Sequence, residues 1–272
     1  MKSDPVFIHG ILQRSGTNFL FDLLLVHPDL AGARDPIYED GFLEHSDGLF
    51  QFVDSVRSGW NPEWGEFPED IDQQLLRCIG DGLLAFLVRD PQKRLLVKNP
   101  RPDHLDRFFS LFPRGRLVLL VRDGRSVVQS AIKRFQVDLA LAAQLWARGA
   151  DEIADFRSTS EGQSRSVLVR YEDLFTDVRP QLERILDFCG LDRSSYDFEQ
   201  ATQLPVRGSS EFLGPERNWV HWEPVERDDT FDPQRRWRDW SPAMHEEFWA
   251  IAEAQMRRLG YTEDAPLERS TI

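Results

Sequence analysis

Short apolar runs alternate with longer segments of helical period along this chain, and the alternation begins at once. Val6, Phe7 and Ile8 form a run of the kind that makes a strand buried on both faces. Gly10 allows a turn, and Gln13-Arg14-Ser15-Gly16-Thr17 is polar and flexible. From Asn18 to Val26 the pattern turns helical, with Phe19, Leu20, Leu23 and Leu24 on one face. After His27-Pro28, residues 29–47 read as a polar, turn-rich connection, followed by a short helix over Leu49 to Val56. Asp70 to Val88 has the period of a long amphipathic helix carried by Ile71, Leu75, Cys78 or Ile79, Gly82 and Phe86.

The alternation then repeats. Leu95 to Val97 is a second buried strand, ending at Lys98-Asn99-Pro100, and Pro102 to Phe112 reads as a helix with proline in its first turn. Leu117 to Val121 is the strongest strand and runs into Arg122-Asp123-Gly124. Helices are expected over Ser126 to Phe135 and Val137 to Phe156. A fourth strand, Val167 to Val169, precedes Arg170-Tyr171-Glu172-Asp173. The helix from Val178 to Cys189 stops at Gly190, and Ser241-Pro242 caps a last helix reaching Leu259. Strands separated by helices require right-handed crossovers and a parallel sheet. The expected fold is therefore a single α/β domain over 1–272, with its core in 6–190 and a covering segment in 200–260.

Strand, glycine-containing loop and helix N-terminus together make a place for a phosphate-like anion. The first helical turn leaves N–H groups unpaired, and the helix dipole is positive there. Arg14 adds a full charge, and Ser15 and Thr17 add hydroxyls. The loop is not a Walker A loop: five residues separate Gly10 from Gly16, and no lysine precedes Thr17. In an open parallel sheet ligands bind beyond the carboxyl ends of the strands. Arg14 with Thr17, Lys98, Arg122 with Asp123, and Tyr171 all fall there. Three cations at neighbouring strand ends repel unless an anion neutralises them. Taken singly, Arg122 suits a pair with Asp123 or Glu172, and Lys98 suits a helix C-terminus.

Composition sets limits on partners. The 272 residues carry 33 basic and 46 acidic side chains, a net charge of −13, which argues against general nucleic-acid or anionic-membrane binding. An anionic ligand then needs a locally basic site. Cys78 and Cys189 read as small core residues without metal-ligand spacing or a disulfide framework. The polar Met1 to Pro5 is not a signal peptide and no apolar run reaches membrane-spanning length, so a cytoplasmic protein is expected. Trp60, Trp64, Trp219 and Trp222 suit either an apolar or sugar-stacking cleft or the core.

Several of these stretches carry a family resemblance. Arg14-Ser15-Gly16-Thr17-Asn18-Phe19-Leu20 resembles the 5′-phosphosulfate loop of sulfotransferases, [KR]-S-G-T-[TN]-x-L. Arg122 with Ser130 eight residues on resembles their 3′-phosphate motif. Tyr171-Glu172-Asp173-Leu174 is similar to the family's Y-E-D-L segment near the adenine. Arg207-Gly208-Ser209 falls where the family closes a basic-glycine loop over the 3′-phosphate. The resemblance runs from Val6 to about Trp240. It implies a P-loop-like sulfotransferase architecture and 3′-phosphoadenosine 5′-phosphosulfate (PAPS) as donor, with no metal. The acidic composition disfavours heavily anionic acceptors, so a small-molecule or glycoconjugate acceptor offering a hydroxyl or amine is expected.

The cytosolic members place a histidine base two residues after the lysine of a K-T-H segment. Here that position is Pro100. The base is then expected in the loop after the first helix, as in carbohydrate-type and tyrosylprotein-type members. Glu39 is the expected base, with Asp35 and His45 as alternatives, and Lys98 is expected to stabilise the leaving oxygen. A kinase-like phosphotransferase wants a P-loop lysine and magnesium-holding aspartates that are not placed here. A non-catalytic nucleotide-binding module is the third class the motifs allow.

Overall fold

Strand β1, Val6–Gly10, lies buried along its whole length in the middle of a five-stranded sheet. This is a computed structural model; it describes residues 4–205 and 234–263, apart from 62, 64, 67 and 68. After β1 come α1 (Thr17–Leu25), β2 (Leu30–Gly32), α2 (Asp47–Ser58), α3 (Ile71–Leu87) and β3 (Arg94–Asn99). Then follow a 3₁₀ turn, α4 (Phe108–Leu111), β4 (Arg116–Val121), α5 (Gly124–Phe135), α6 (Leu139–Ser158) and α7 (Ser160–Arg165). The chain continues through β5 (Ser166–Arg170), α8 (Tyr171–Thr176), α9 (Val178–Cys189), α10 (Phe198–Thr202) and α11 (Pro242–Arg258). The strands are all parallel, in the order β2-β3-β1-β4-β5.

Alternation along each strand builds two cores. Phe7, Val97, Leu117, Leu119 and Val121 face one layer, where α3 to α6 and α11 pack. Val6, Ile8, Leu96, Val118 and Leu120 face the other, where α1 and α9 pack. Burial on both faces explains why these strands read as continuous apolar runs. Each fully buried side chain of this size contributes about 1.5–3 kcal/mol.

The chain leaves β1 toward β2 on one side and leaves β4 toward β5 on the other. The two strands are neighbours, so their carboxyl ends open a crevice where the connections diverge. Topology alone makes that crevice a ligand site.

Several elements differ from expectation. Leu30–Gly32, expected as loop, is the edge strand β2; only three residues long, it has no periodicity to read. The interior face of α3 is Leu76, Gly80, Leu84 and Leu87, one position away from the expected stripe. Phe86 is accordingly exposed, and so is Cys78, which was expected in the core; Cys189 is buried as expected. The helix expected over Pro102 to Phe112 is the 3₁₀ turn Leu105–Arg107 followed by a single helical turn, α4. Helices α7 and α8 were not expected. By contrast α9 ends at Gly190 in the left-handed conformation, and Ser241 caps α11 through its hydroxyl, as read. Among the described residues no helix is long and apolar enough to cross a membrane.

Candidate active site

The loop from Ile11 to Gly16 is shaped by two close approaches. A Cβ on Gly10 would lie 2.5 Å from Ser15 Oγ and 3.0 Å from the Pro100 carbonyl oxygen, so only glycine lets the loop fold back over the strand end. Gly16, the N-cap of α1, has φ 98°, and a Cβ there would meet the Tyr171 ring at 2.4 Å. Arg14 also has a positive φ, 80°. Such a backbone in a non-glycine residue costs about 1–3 kcal/mol, a strain found where surrounding contacts hold a loop for function. No side chain caps α1, so its first N–H groups remain directed at the crevice. Ser15 Oγ is buried with no hydrogen-bond partner among the described residues.

Sheet register brings the other residues in. Gly10 pairs with Leu120, and Val121 pairs with Arg170, so Arg122 and Tyr171 leave adjacent strand ends. The Arg122 side chain, 3% exposed, donates from Nη1 to the Arg14 carbonyl oxygen at 2.8 Å and stacks on the Tyr171 ring at 4.2 Å. Asp123 instead caps α5 and takes the Arg125 guanidinium, while Glu172 accepts the Asp123 N–H at 2.9 Å. Asp123 and Glu172 are therefore engaged elsewhere, and the fold aims Arg122 at the loop.

Ser130 is the meeting point. Its hydroxyl oxygen accepts from Arg14 Nε at 3.0 Å and from Arg236 Nη1 at 3.2 Å. Burial and the nearby charges of Arg236, Arg122 and Arg134 push the Arg14 guanidinium down to about 10. Two arginines thus share one hydroxyl while Arg122 and Arg134 add charge beside Arg14, and an anion placed among the four relieves the repulsion. Arg134 and Arg236 escaped sequence reading. Arg134 lies one helical turn beyond Ser130 on α5 and was open to that argument; Arg236 reaches the site through the packing of 234–240 on α5 and α8, by Ser126 to Gln234, Trp240 to Gln129 and Gln234 to Glu172.

At the end of β3, Lys98 is 5% exposed, and its Nζ lies 3.0 Å from Glu39 Oε1. Glu39 and Lys98 line a cavity of about 400 Å³ with Asn18, Phe21, Ile37 and Tyr38, so α1 shares a wall with the acidic loop. Of the alternatives, Asp35 lines the same cavity but is 75% exposed and pairs with Arg89 at 3.4 Å, while His45 is exposed and does not line it. Thr17 is buried at the start of α1, and Asn18 lines the cavity. Tyr171 is buried against Gly16, Phe19 and Phe175 and forms a floor under Arg122. Arg207, Gly208 and Ser209, with Trp64, Trp219 and Trp222, lie outside the described residues. Trp60 Nε1 donates to the Gly65 carbonyl.

A basic crevice over a glycine loop, beside a carboxylate–ammonium pair, gives an α/β protein a place suited to an anionic ligand next to a second cavity. The Sulfotransferase family model matches residues 5–195, and the chain belongs to that family. Protein-tyrosine sulfotransferase A of Caenorhabditis elegans is 24% identical over 202 residues, covering 69% of this chain and 50% of its own length. The protein-tyrosine sulfotransferase of Drosophila melanogaster is 26% identical over 194 residues, covering 68% of this chain and 38% of its own. The chain thus spans about half the length, or less, of these two relatives. The sulfotransferase domain of the olefin synthase of Synechococcus PCC 7002 shares the fold, with a TM-score of 0.54 and 25% identity, covering 93% of this chain and 95% of its own.

Proposed function

We propose that this protein transfers a sulfuryl group from PAPS to the hydroxyl of a compact acceptor seated in the cavity beside Glu39. The observation that carries the reading is the 3.0 Å contact between Glu39 and Lys98 on the wall of a cavity that Asn18, in the first turn of α1, also lines. Family membership and the four-arginine cluster support it.

PAPS supplies an activated sulfuryl group whose departure leaves negative charge on an oxygen of the 5′-phosphate. Arg14 and the backbone N–H groups of Gly16, Thr17 and Asn18 would hold that phosphate, with the Thr17 hydroxyl beside them. Lys98 stabilises charge on the bridging oxygen as it leaves. Glu39 takes the proton from the acceptor hydroxyl. Arg122 and Ser130, joined by Arg134 and Arg236, read the 3′-phosphate, which distinguishes PAPS from ATP. Tyr171 braces the loop glycine and borders the adenine. Arg207-Gly208-Ser209 is assigned to the same 3′-phosphate. The residues fit a bisphosphorylated nucleotide, PAPS or the 3′-phosphoadenosine 5′-phosphate (PAP) it leaves behind, because the like charges of Arg236, Arg122 and Arg134 act together on Arg14.

The cavity wall mixes apolar Phe21, Leu25, Ile37, Leu96 and Val97 with Glu39, Lys98 and Arg89. This supports an acceptor with an apolar body and one reactive hydroxyl, of small-molecule size. The names of the protein-tyrosine sulfotransferase relatives favour a second acceptor, the phenol of a tyrosyl peptide. Transfer from ³⁵S-labelled PAPS to a panel of aliphatic alcohols, simple phenols, sugars and tyrosyl peptides tests both. Label on a small alcohol or phenol supports the first acceptor, and label on peptides alone supports the second. The same assay with γ-labelled ATP and magnesium tests the phosphotransferase class.

A further inference from the structure

Arg236 reaches Ser130 from a stretch, 234–240, that is neither helix nor strand. Hydrogen bonds tie the ends of that stretch to α5 and α8. Ser126 Oγ donates to the Gln234 carbonyl oxygen at 2.6 Å, Gln234 Nε2 to the Glu172 carbonyl oxygen at 3.2 Å, and Trp240 Nε1 to Gln129 Oε1 at 2.7 Å. The middle is held differently. Trp237, the residue after Arg236, meets the Arg125 guanidinium, whose Cζ lies 4.0 Å from the ring centroid. The same indole meets the His245 ring edge-on, with centroids 5.4 Å apart.

Arg125 is 0% exposed. Its Nε donates to Asp123 Oδ1 at 3.1 Å and its Nη2 to Asp123 Oδ2 at 2.7 Å, a two-pronged pair. Its Nη1 donates to the Glu263 carbonyl oxygen at 2.9 Å, beyond the end of α11, and its Cζ lies 5.6 Å from the Trp249 ring centroid. Asp123 is fixed in turn: it accepts the Arg125 N–H at 2.8 Å and donates its own N–H to Glu172 Oε1 at 2.9 Å. One buried cation thus meets the residue after Arg122, the residue after Arg236 and the segment after α11.

A wholly buried ion pair is a poor device for stability alone. Apolar residues of the same volume are often as stable or more so, because both charges of the pair lose their hydration. What the pair contributes here is geometry. Two carboxylate oxygens and one carbonyl fix the plane of the guanidinium, and its flat face is left for an indole. We propose that Arg125 is a positioning residue for donor selectivity, its guanidinium stacking on Trp237 to hold Arg236 where the 3′-phosphate is read. The inference rests on reading Arg236, with Arg122 and Ser130, as the 3′-phosphate site. Arg125 is wholly buried, so it acts on the nucleotide through Arg236 rather than by touching it. Without the stack the stretch is held at its ends, and a displacement of about 1 Å at Arg236 is enough to lose its hydrogen bond to Ser130.

Titration calorimetry with PAP and with adenosine 5′-phosphate, on wild type, Arg125→Lys, Trp237→Leu and Trp237→Phe, tests the clamp. Lysine keeps the charge beside Asp123 but has neither the fork nor the flat face, and leucine keeps bulk without an aromatic face. Each should weaken PAP by about three- to thirtyfold, the worth of a cation–π contact, while adenosine 5′-phosphate changes by less than about twofold. Trp237→Phe keeps a face for the guanidinium and should stay within about twofold of wild type for PAP. Its lost indole N–H costs little, because Trp237 Nε1 has no hydrogen-bond partner among the described residues. Trp237→Leu added to Arg236→Ala should weaken PAP by less than about twofold further, since the clamp acts through Arg236. Equal weakening of both nucleotides marks a merely structural residue and overturns the proposal. So does a fully additive loss in the double variant, or a loss in Trp237→Phe as deep as in Trp237→Leu. If Arg125→Lys does not fold, the Trp237 variants decide, the ring being only half-buried. A wild type that binds PAP no more tightly than adenosine 5′-phosphate overturns the 3′-phosphate reading beneath. Selectivity that is lost in Arg236→Ala but kept in Arg125→Lys and Trp237→Leu overturns the clamp alone.

Discussion

Arg14 Nε donates to Ser130 Oγ at 3.0 Å, joining the loop after the first strand to a helix 116 residues further along the chain. The contact brings the loop proposed for the 5′-phosphate and the motif proposed for the 3′-phosphate onto one hydroxyl, to which Arg236 also donates. Arg236 gives the cleaner test of that cluster, because Arg122 also supports the Arg14 backbone. Arg236→Ala should weaken PAP binding by about 1.5–3 kcal/mol, the range for a hydrogen bond to a charged group. Calorimetry should show a much smaller loss for adenosine 5′-phosphate, which lacks the 3′-phosphate. Equal losses for the two nucleotides contradict the assignment.

Gly16→Ala should damage loop and donor site together. Its Cβ would meet the Tyr171 ring at 2.4 Å, and φ 98° is left-handed for any residue placed there. The expected cost is about 1–3 kcal/mol of stability with weakened PAP binding. Thermal unfolding and a PAP titration check this, and wild-type values for both contradict it.

Glu172 should make stability depend on pH. Burial first, and then the Asp123 charge, raise its carboxyl above the ordinary 4.5. The folded state then holds a proton that the unfolded chain releases, so stability falls as pH rises from 4.5 through the folded value. Glu172→Gln keeps an oxygen for the Asp123 N–H and retains hydrogen-bonding capacity toward the Tyr261 hydroxyl, while removing the buried charge. The variant should gain stability relative to wild type as pH rises above 4.5. A gain that shrinks with rising pH in denaturant melts contradicts the assignment.

The two cysteines should differ in reactivity. Cys189 is buried, and its thiol is pushed up to about 12, while Cys78 is exposed on α3. A thiol reagent should label one equivalent quickly in native protein and the second only on unfolding. Rapid labelling of both contradicts the packing of α9.

What sequence could reveal here follows from where information is local. The strand–loop–helix at Val6 to Leu25 and the strand–turn–helix at Arg116 to Phe135 carry their periodicity and turn residues within a few positions, so they were legible. The expected base and its lysine were legible too as candidates, because both fall at fixed offsets from local elements. The three residues of β2 form a strand only because β3 offers an edge. The face of α3 was misread because Leu76, Gly80 and Leu84 alternate with apolar neighbours. Packing against α4, where a Cβ on Gly80 would collide with the Leu111 carbonyl, selects between the stripes. Arg236 was invisible for a related reason: its place at Ser130 is set by contacts of 234–240 with α5 and α8 that have no sequence period.

The central claim is that Glu39 takes the acceptor's proton while Lys98 meets the leaving oxygen. Turnover of Glu39→Gln with labelled PAPS, measured beside its PAP affinity, tests it most directly. The glutamine keeps the size and a hydrogen-bonding oxygen but does not accept the proton. The account predicts a loss of about 10²–10⁴-fold in kcat with PAP affinity changed by less than about twofold. Near-normal turnover in Glu39→Gln, or a loss that appears instead in PAP binding, contradicts it.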